Sequence, residues 1–126
     1  MPGRRRILIV EDDVDLRQMF ATWLKFAGYD VQQAGDGLEA LRLIDGQPPH
    51  AVVLDLGLPL ISGQVVRQEI AAQAQTRDIP VIVVTAQPGS HDHLKVACVL
   101  TKPVLPDDLV DVVGRCLASG AQGLRS

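Results

Sequence analysis

"RILIVEDD", residues 6–13, sets a short apolar run rich in β-branched side chains directly against three acids. A continuous run of this length, bounded by charge, reads as a strand buried on both faces. A strand with no polar face needs helices on either side, so the run asks for a layered α/β fold. Glu11, Asp12 and Asp13 fall where that strand surfaces. Two carboxylates ~5 Å apart repel by roughly 3 kcal/mol at an effective dielectric of about 20. Such acids are either solvated or gathered around something that offsets the repulsion.

Outward from this stretch, apolar runs alternate with helical patterns. "VDLRQMFATWLKFAG" (14–28) places Leu16, Met19, Phe20, Trp23, Leu24 and Ala27 at helical spacing before a closing Gly28. "YDVQQA" (29–34) alternates like an edge strand, and "GLEALRLID" (37–45) is a short helix with Leu38, Leu41 and Ile44 on one face. "HAVVLD" (50–55) is a second buried strand, followed by a helix over 62–75 with Ser62 as N-cap. "IPVIVVTA" (79–86) and "ACVLT" (97–101) complete the strands, and "PDDLVDVVGRCLA" (106–118) opens on a helix-compatible proline. Alternating elements of this kind predict five parallel strands in the doubly wound order 2-1-3-4-5, with helices on both faces.

The bulk numbers fit one domain with an aliphatic core: 126 residues, 47% hydrophobic but only 3% aromatic. A net charge of −3 disfavours a nucleic-acid surface, which needs clustered Lys and Arg. The Arg4-Arg5-Arg6 run is read as a solvated chain start. Cys98 and Cys116 lack metal-ligand spacing and lie in apolar runs, so small buried thiols of a reducing cytosol are expected. No stretch approaches the ~18 apolar residues of a membrane span, which predicts a cytoplasmic chain without a membrane partner. Residues 4–118 are expected to form the domain and 119–126 a flexible tail.

In the doubly wound order the ligand crevice opens at the carboxyl ends of the strands, beside the switch between the first and third. Those ends carry Glu11-Asp12-Asp13, Asp55, Thr85 and Lys102-Pro103, while the edge strand ends in Ala34-Gly35 and offers no chemistry. Three acids or more, a hydroxyl and an ammonium therefore converge. The gathered acids predict a divalent cation, and a few hard oxygens with room for water suit Mg²⁺ better than Ca²⁺.

"RRILIVEDD…LR", "VVLDLGLPLISG", "RDIPVIVVTA" and "LTKP", in this order, resemble the receiver domain of bacterial response regulators, a flavodoxin-like fold, over about residues 4–118. The resemblance implies a phosphoprotein of two-component signalling with Asp55 as phospho-acceptor. Asp12, Asp55 and the Gly57 carbonyl would bind Mg²⁺ directly and Glu11 through water. Thr85 and Lys102 would contact the phosphoryl oxygens, and the Lys102–Pro103 bond would be cis. Asp13 would be a bystander, favourable to the dipole of the first helix. It further implies a sensor histidine kinase or histidine phosphotransfer protein as donor and a downstream protein as target, in a monomer that binds no DNA directly. Such a chain is no enzyme beyond its own phosphorylation and dephosphorylation.

Departures from the family pattern cluster on one side. Between Ala86 and the fifth strand only "AQPGSHDHLKV" makes the crossover, which shortens the helix expected there. Val99 stands where receivers carry an aromatic or His three residues before the lysine, and Gly57 and Gln87 hold positions that tune phosphoryl lifetime in the family. His91 and His93 form a weak metal pair with no third ligand, and His50 reads as a surface turn residue. Two rival readings follow. One is a receiver-fold interaction module that signals without phosphorylation. The other, a flavodoxin-like cofactor binder, is disfavoured because an acid-lined crevice repels nucleotide phosphates and no Gly-rich phosphate loop follows the first strand.

Overall fold

The computed structural model describes residues 3–86 and 98–123. Strands β1 (Arg6–Val10), β2 (Asp30–Ala34), β3 (Ala51–Asp55), β4 (Val81–Thr85) and β5 (Val99–Thr101) form one parallel sheet in the order β2-β1-β3-β4-β5. Among the described residues, the helices are α1 (Val14–Phe26), α2 (Gly37–Gly46), α3 (Gly63–Ala72) and α4 (Pro106–Gly123). The expected topology is thus found. The shortened crossover, with Gln87, His91 and His93, lies outside the described residues.

The period-two geometry of the strands splits the core in two. Ile7, Ile9, Ala51, Val53, Ile82 and Val84 join Phe20 and Leu24 of α1 and Leu109 and Val113 of α4. Leu8, Val10, Val52 and Leu54 join Ala40 and Ile44 of α2 and Val66 and Ile70 of α3. Both faces are covered, which is why these strands read as unbroken apolar runs. Burying each large side chain contributes ~1.5–3 kcal/mol against exposure. On α2 the buried pair is Ala40 and Ile44, spaced by one turn, whereas Leu38, expected inside, is 55% exposed.

Element ends follow local chemistry. Asp13 caps α1 by accepting the Leu16 N–H at 3.1 Å, and Gly28, at φ +101°, takes the left-handed position just past its end. Ser62 caps α3 through the Val65 N–H as expected, but α3 ends at Ala72, three residues early. The chain turns there, and the buried Thr76 hydroxyl donates to the Ile70 carbonyl at 2.7 Å. The last helix continues to Gly123, beyond the expected end at Ala118.

One expectation is corrected. Cys98 and Cys116 are joined in a disulfide, since α4 crosses the start of β5 and brings their Cα atoms to 6.5 Å. They are not free thiols. His50 is exposed but engaged: its Nδ1 accepts the Arg6 N–H at 2.8 Å and its backbone N–H donates to the Arg6 carbonyl at 2.8 Å. It therefore zips the start of β1 to that of β3.

Candidate functional site

The sheet register builds the site. Ile9 pairs with Val53 and Val10 with Leu54, so the next step along both strands sets Glu11 beside Asp55. Adjacent strands lie ~4.8 Å apart. Carboxylate oxygens of Glu11, Asp12 and Asp55 lie within 4.8 Å of one another. Glu11 and Asp55 are buried, while Asp12 faces solvent.

Lys102 bridges the two buried acids. Its Nζ stands 3.1 Å from Glu11 Oε1 and 3.4 Å from Asp55 Oδ2. The lysine reaches them from the loop after β5, where its backbone N–H donates to the Thr85 carbonyl at 2.9 Å and the Lys102–Pro103 peptide is cis. Asp55 Oδ1 accepts the Gly57 N–H at 2.9 Å, and Glu11 Oε2 accepts the Asp13 N–H at 3.2 Å. Thr85 ends β4, buried, opposite Thr101. A cavity of about 640 Å³ is lined by Glu11, Asp12, Asp55, Gly57, Thr85 and Lys102 together. Every site residue expected from the sequence meets there. Asp13 also lines it, but its side chain is spent on the helix cap.

Burial pushes the Glu11 carboxyl up from 4.5 to about 7, and the Asp55 charge adds to this. The Asp13 N–H and the Lys102 ammonium hold it back only in part. Burial pulls Lys102 down, but Glu11 and Asp55 outweigh it and leave the ammonium above its ordinary value. The cavity thus concentrates more acid than one lysine neutralises.

Two contributors were not expected. Gln64, in the first turn of α3, lines the same cavity. Arg17 of α1 donates to the Glu11 carbonyl at 2.8 Å and to the Gln33 side chain at 3.3 Å, fixing the peptide that carries the acids. The "LR" following the acids was a visible signal for Arg17, though its partner was not.

Residues 7–114 match the family model described as the response regulator receiver domain. The chain belongs to this family. The receiver is 42% identical over 90 residues to the DNA-binding dual master transcriptional regulator RpaA of Synechocystis sp., covering 71% of this chain and 37% of that protein. It is 42% identical over 82 residues to the response regulator MprA of a Mycobacterium species, covering 65% of this chain and 35% of that protein. The receiver thus spans little more than a third of these curated relatives. Among solved structures, the chemotaxis response regulator CheY4 of Vibrio cholerae superposes with a TM-score of 0.84 at 25% identity, over 90% of this chain and 99% of that one. NtrX from Brucella abortus superposes at 0.85 with 27% identity, over 97% of this chain and 28% of that one. No helix among the described residues is long and apolar enough to cross a membrane.

Proposed function

We propose that Asp55 accepts a phosphoryl group from the phosphohistidine of a sensor histidine kinase or histidine phosphotransfer protein, and that the receiver then acts by docking to a downstream protein. The observation that carries this reading is the buried Asp55 carboxylate on the cavity wall, 3.4 Å from Lys102 Nζ and beside Glu11 and Asp12. A carboxylate is a weak nucleophile, so transfer depends on positioning and charge neutralisation.

The Gly57 N–H holds one Asp55 oxygen and restricts rotation of the carboxylate. In the transfer an Asp55 oxygen forms a P–O bond as the P–N bond to the donor imidazole breaks. The imidazole leaves with the bonding electrons and takes up a proton. The Lys102 ammonium balances charge on the phosphoryl oxygens, and the Thr85 hydroxyl donates to one of them. Glu11, Asp12, Asp55 and the Gly57 carbonyl would hold Mg²⁺, which when bound neutralises phosphoryl charge. The donor set fits such an ion: carboxylate oxygens of Glu11, Asp12 and Asp55 lie within 4.8 Å of one another, and one ammonium, that of Lys102, stands against them. Hydrolysis of the acyl phosphate returns Asp55, so the only chemistry catalysed is the chain's own. We place this activity in residues 4–118 of a cytoplasmic monomer, with 119–126 outside it and no direct DNA contact from this segment.

Intact-mass spectrometry after acetyl phosphate with Mg²⁺ tests the assignment. One alkali-labile phosphoryl adduct is expected, absent from Asp55→Asn. Labelling at another residue, or none in wild type, overturns it, the latter in favour of a receiver-fold interaction module.

A further inference from the structure

The disulfide joins the residue before the shortest of the described strands to the last described helix. β5 has three residues and, among the described residues, lies at the sheet edge and pairs with β4 alone. Cys98 immediately precedes it and is half-buried; Cys116, on α4, is 8% exposed. Both sulfur-bearing residues border two separate cavities, of about 330 and 440 Å³. The cross-link is therefore bordered by cavities on two sides, one with Arg67 and Arg77 at its margin and the other with Arg115, whose guanidinium pairs with Asp111 at 3.1 Å. Cationic surroundings stabilise a thiolate and draw an anionic thiol toward it.

We propose that Cys98–Cys116 is a reversible thiol–disulfide site, exchanged by an anionic low-molecular-weight thiol, whose state sets how firmly β5 is tied to α4. The incoming thiolate attacks Sγ of Cys98, the more exposed residue, and Cys116 leaves as a thiolate that takes up a proton. A second thiolate attacks the mixed disulfide at the small molecule's sulfur and releases Cys98. Two small thiols are thereby oxidised to one disulfide as the protein disulfide becomes two thiols. Accessible disulfides are the ones that exchange under such couples, whereas buried structural ones resist them. Because Cys98 lies four residues before Lys102, with β5 between them, reduction loosens the segment that presents this lysine. The exchange site itself stands apart from the proposed phosphoryl chemistry.

The test equilibrates the full chain, under native conditions, in reduced and oxidised glutathione across a range of ratios. Iodoacetamide quenching and intact-mass spectrometry then count free thiols, beside thermal melts at each ratio. The expected result is one reversible two-electron transition between no and two alkylated cysteines within the glutathione range. The oxidised form should melt higher by about 10 °C, the scale for closing a loop of this length in a chain of this size. Cys98→Ser should melt at the reduced wild-type value at every ratio. Full alkylation at all ratios, or resistance to reduction until the chain is denatured, overturns the proposal. So does a melting point of Cys98→Ser that still follows the ratio.

Discussion

Replacing Glu11 with Gln should make the ion-free receiver more stable at neutral pH and remove part of its pH dependence. In the folded chain burial pushes the Glu11 carboxyl up from 4.5 to about 7. Between these values the folded chain holds a proton that the unfolded chain has released. Stability from this group is therefore unchanged below 4.5, falls as pH rises through the window, and levels off above 7. At about 1.4 kcal/mol per pH unit the gap amounts to roughly 3 kcal/mol. The amide that replaces the carboxylate keeps the shape but carries no charge to desolvate, so the variant avoids most of this cost. Urea unfolding of both proteins in chelator, from pH 4 to 8, isolates the effect as a difference, because groups remote from Glu11 are common to both chains. The expected difference is near zero at pH 4 and grows to roughly 2–3 kcal/mol in favour of Glu11→Gln by pH 8. Millimolar Mg²⁺ should shrink it by stabilising the ionised wild type. A difference that is flat with pH, or that favours wild type at pH 8 in chelator, would refute the account of a carboxylate held against its desolvation cost.

Gly63→Ala should destabilise the fold by about 2 kcal/mol or more, read by the same denaturant assay, because a Cβ there would press on the Asp55 carbonyl and sit 2.6 Å from Leu56 Cα. Arg17→Met should cost roughly 1–2 kcal/mol and slow acetyl phosphate labelling of Asp55, since it frees the Glu11 peptide from its 2.8 Å guanidinium contact. Unchanged labelling would show that this contact serves the fold alone. Sedimentation at tens of micromolar, with and without beryllofluoride as an acyl-phosphate mimic, should show a monomer in both cases, because half-buried Val99 has no ring to swing in response to Thr85. A mimic-dependent dimer would refute that reading of Val99.

The strands and their order were legible because burial on both faces writes itself into sequence as runs such as "ILIV" and "AVVL". Once the order was inferred, the carboxyl ends of the strands named the site residues, and their meeting followed from register rather than from any single motif. What was not legible depends on crossings between distant segments. Cys98 and Cys116 look like isolated apolar cysteines until α4 is laid across the start of β5. Gln64 and His50 carry polar side chains of the kind that usually face water, and nothing local shows that one borders a cavity and the other accepts a strand N–H. Leu38 misled for the opposite reason: a leucine at helical spacing promises burial, but the close packing around Gly37 and Ala40 turns it outward. The end of α4 was misplaced because Ser119 and Gly120 resemble a linker, while helix continuation depends on the whole window.

Gly63 also has a mechanical meaning. Its bare Cα rests against the Asp55–Leu56 peptide, and its N–H reaches the Leu56 carbonyl at 3.4 Å, so the first turn of α3 sits on the backbone of the acceptor like a lever on its pivot. There is no slack at this joint, since even a methyl group lacks room. The long arm of the lever is the helix itself, whose Val66 and Ile70 are set into the core on the α2 side of the sheet. A tilt of the Asp55 peptide by a fraction of an ångström therefore cannot be absorbed locally. α3 is thus the element to which a displacement of the acceptor's backbone would first be passed on.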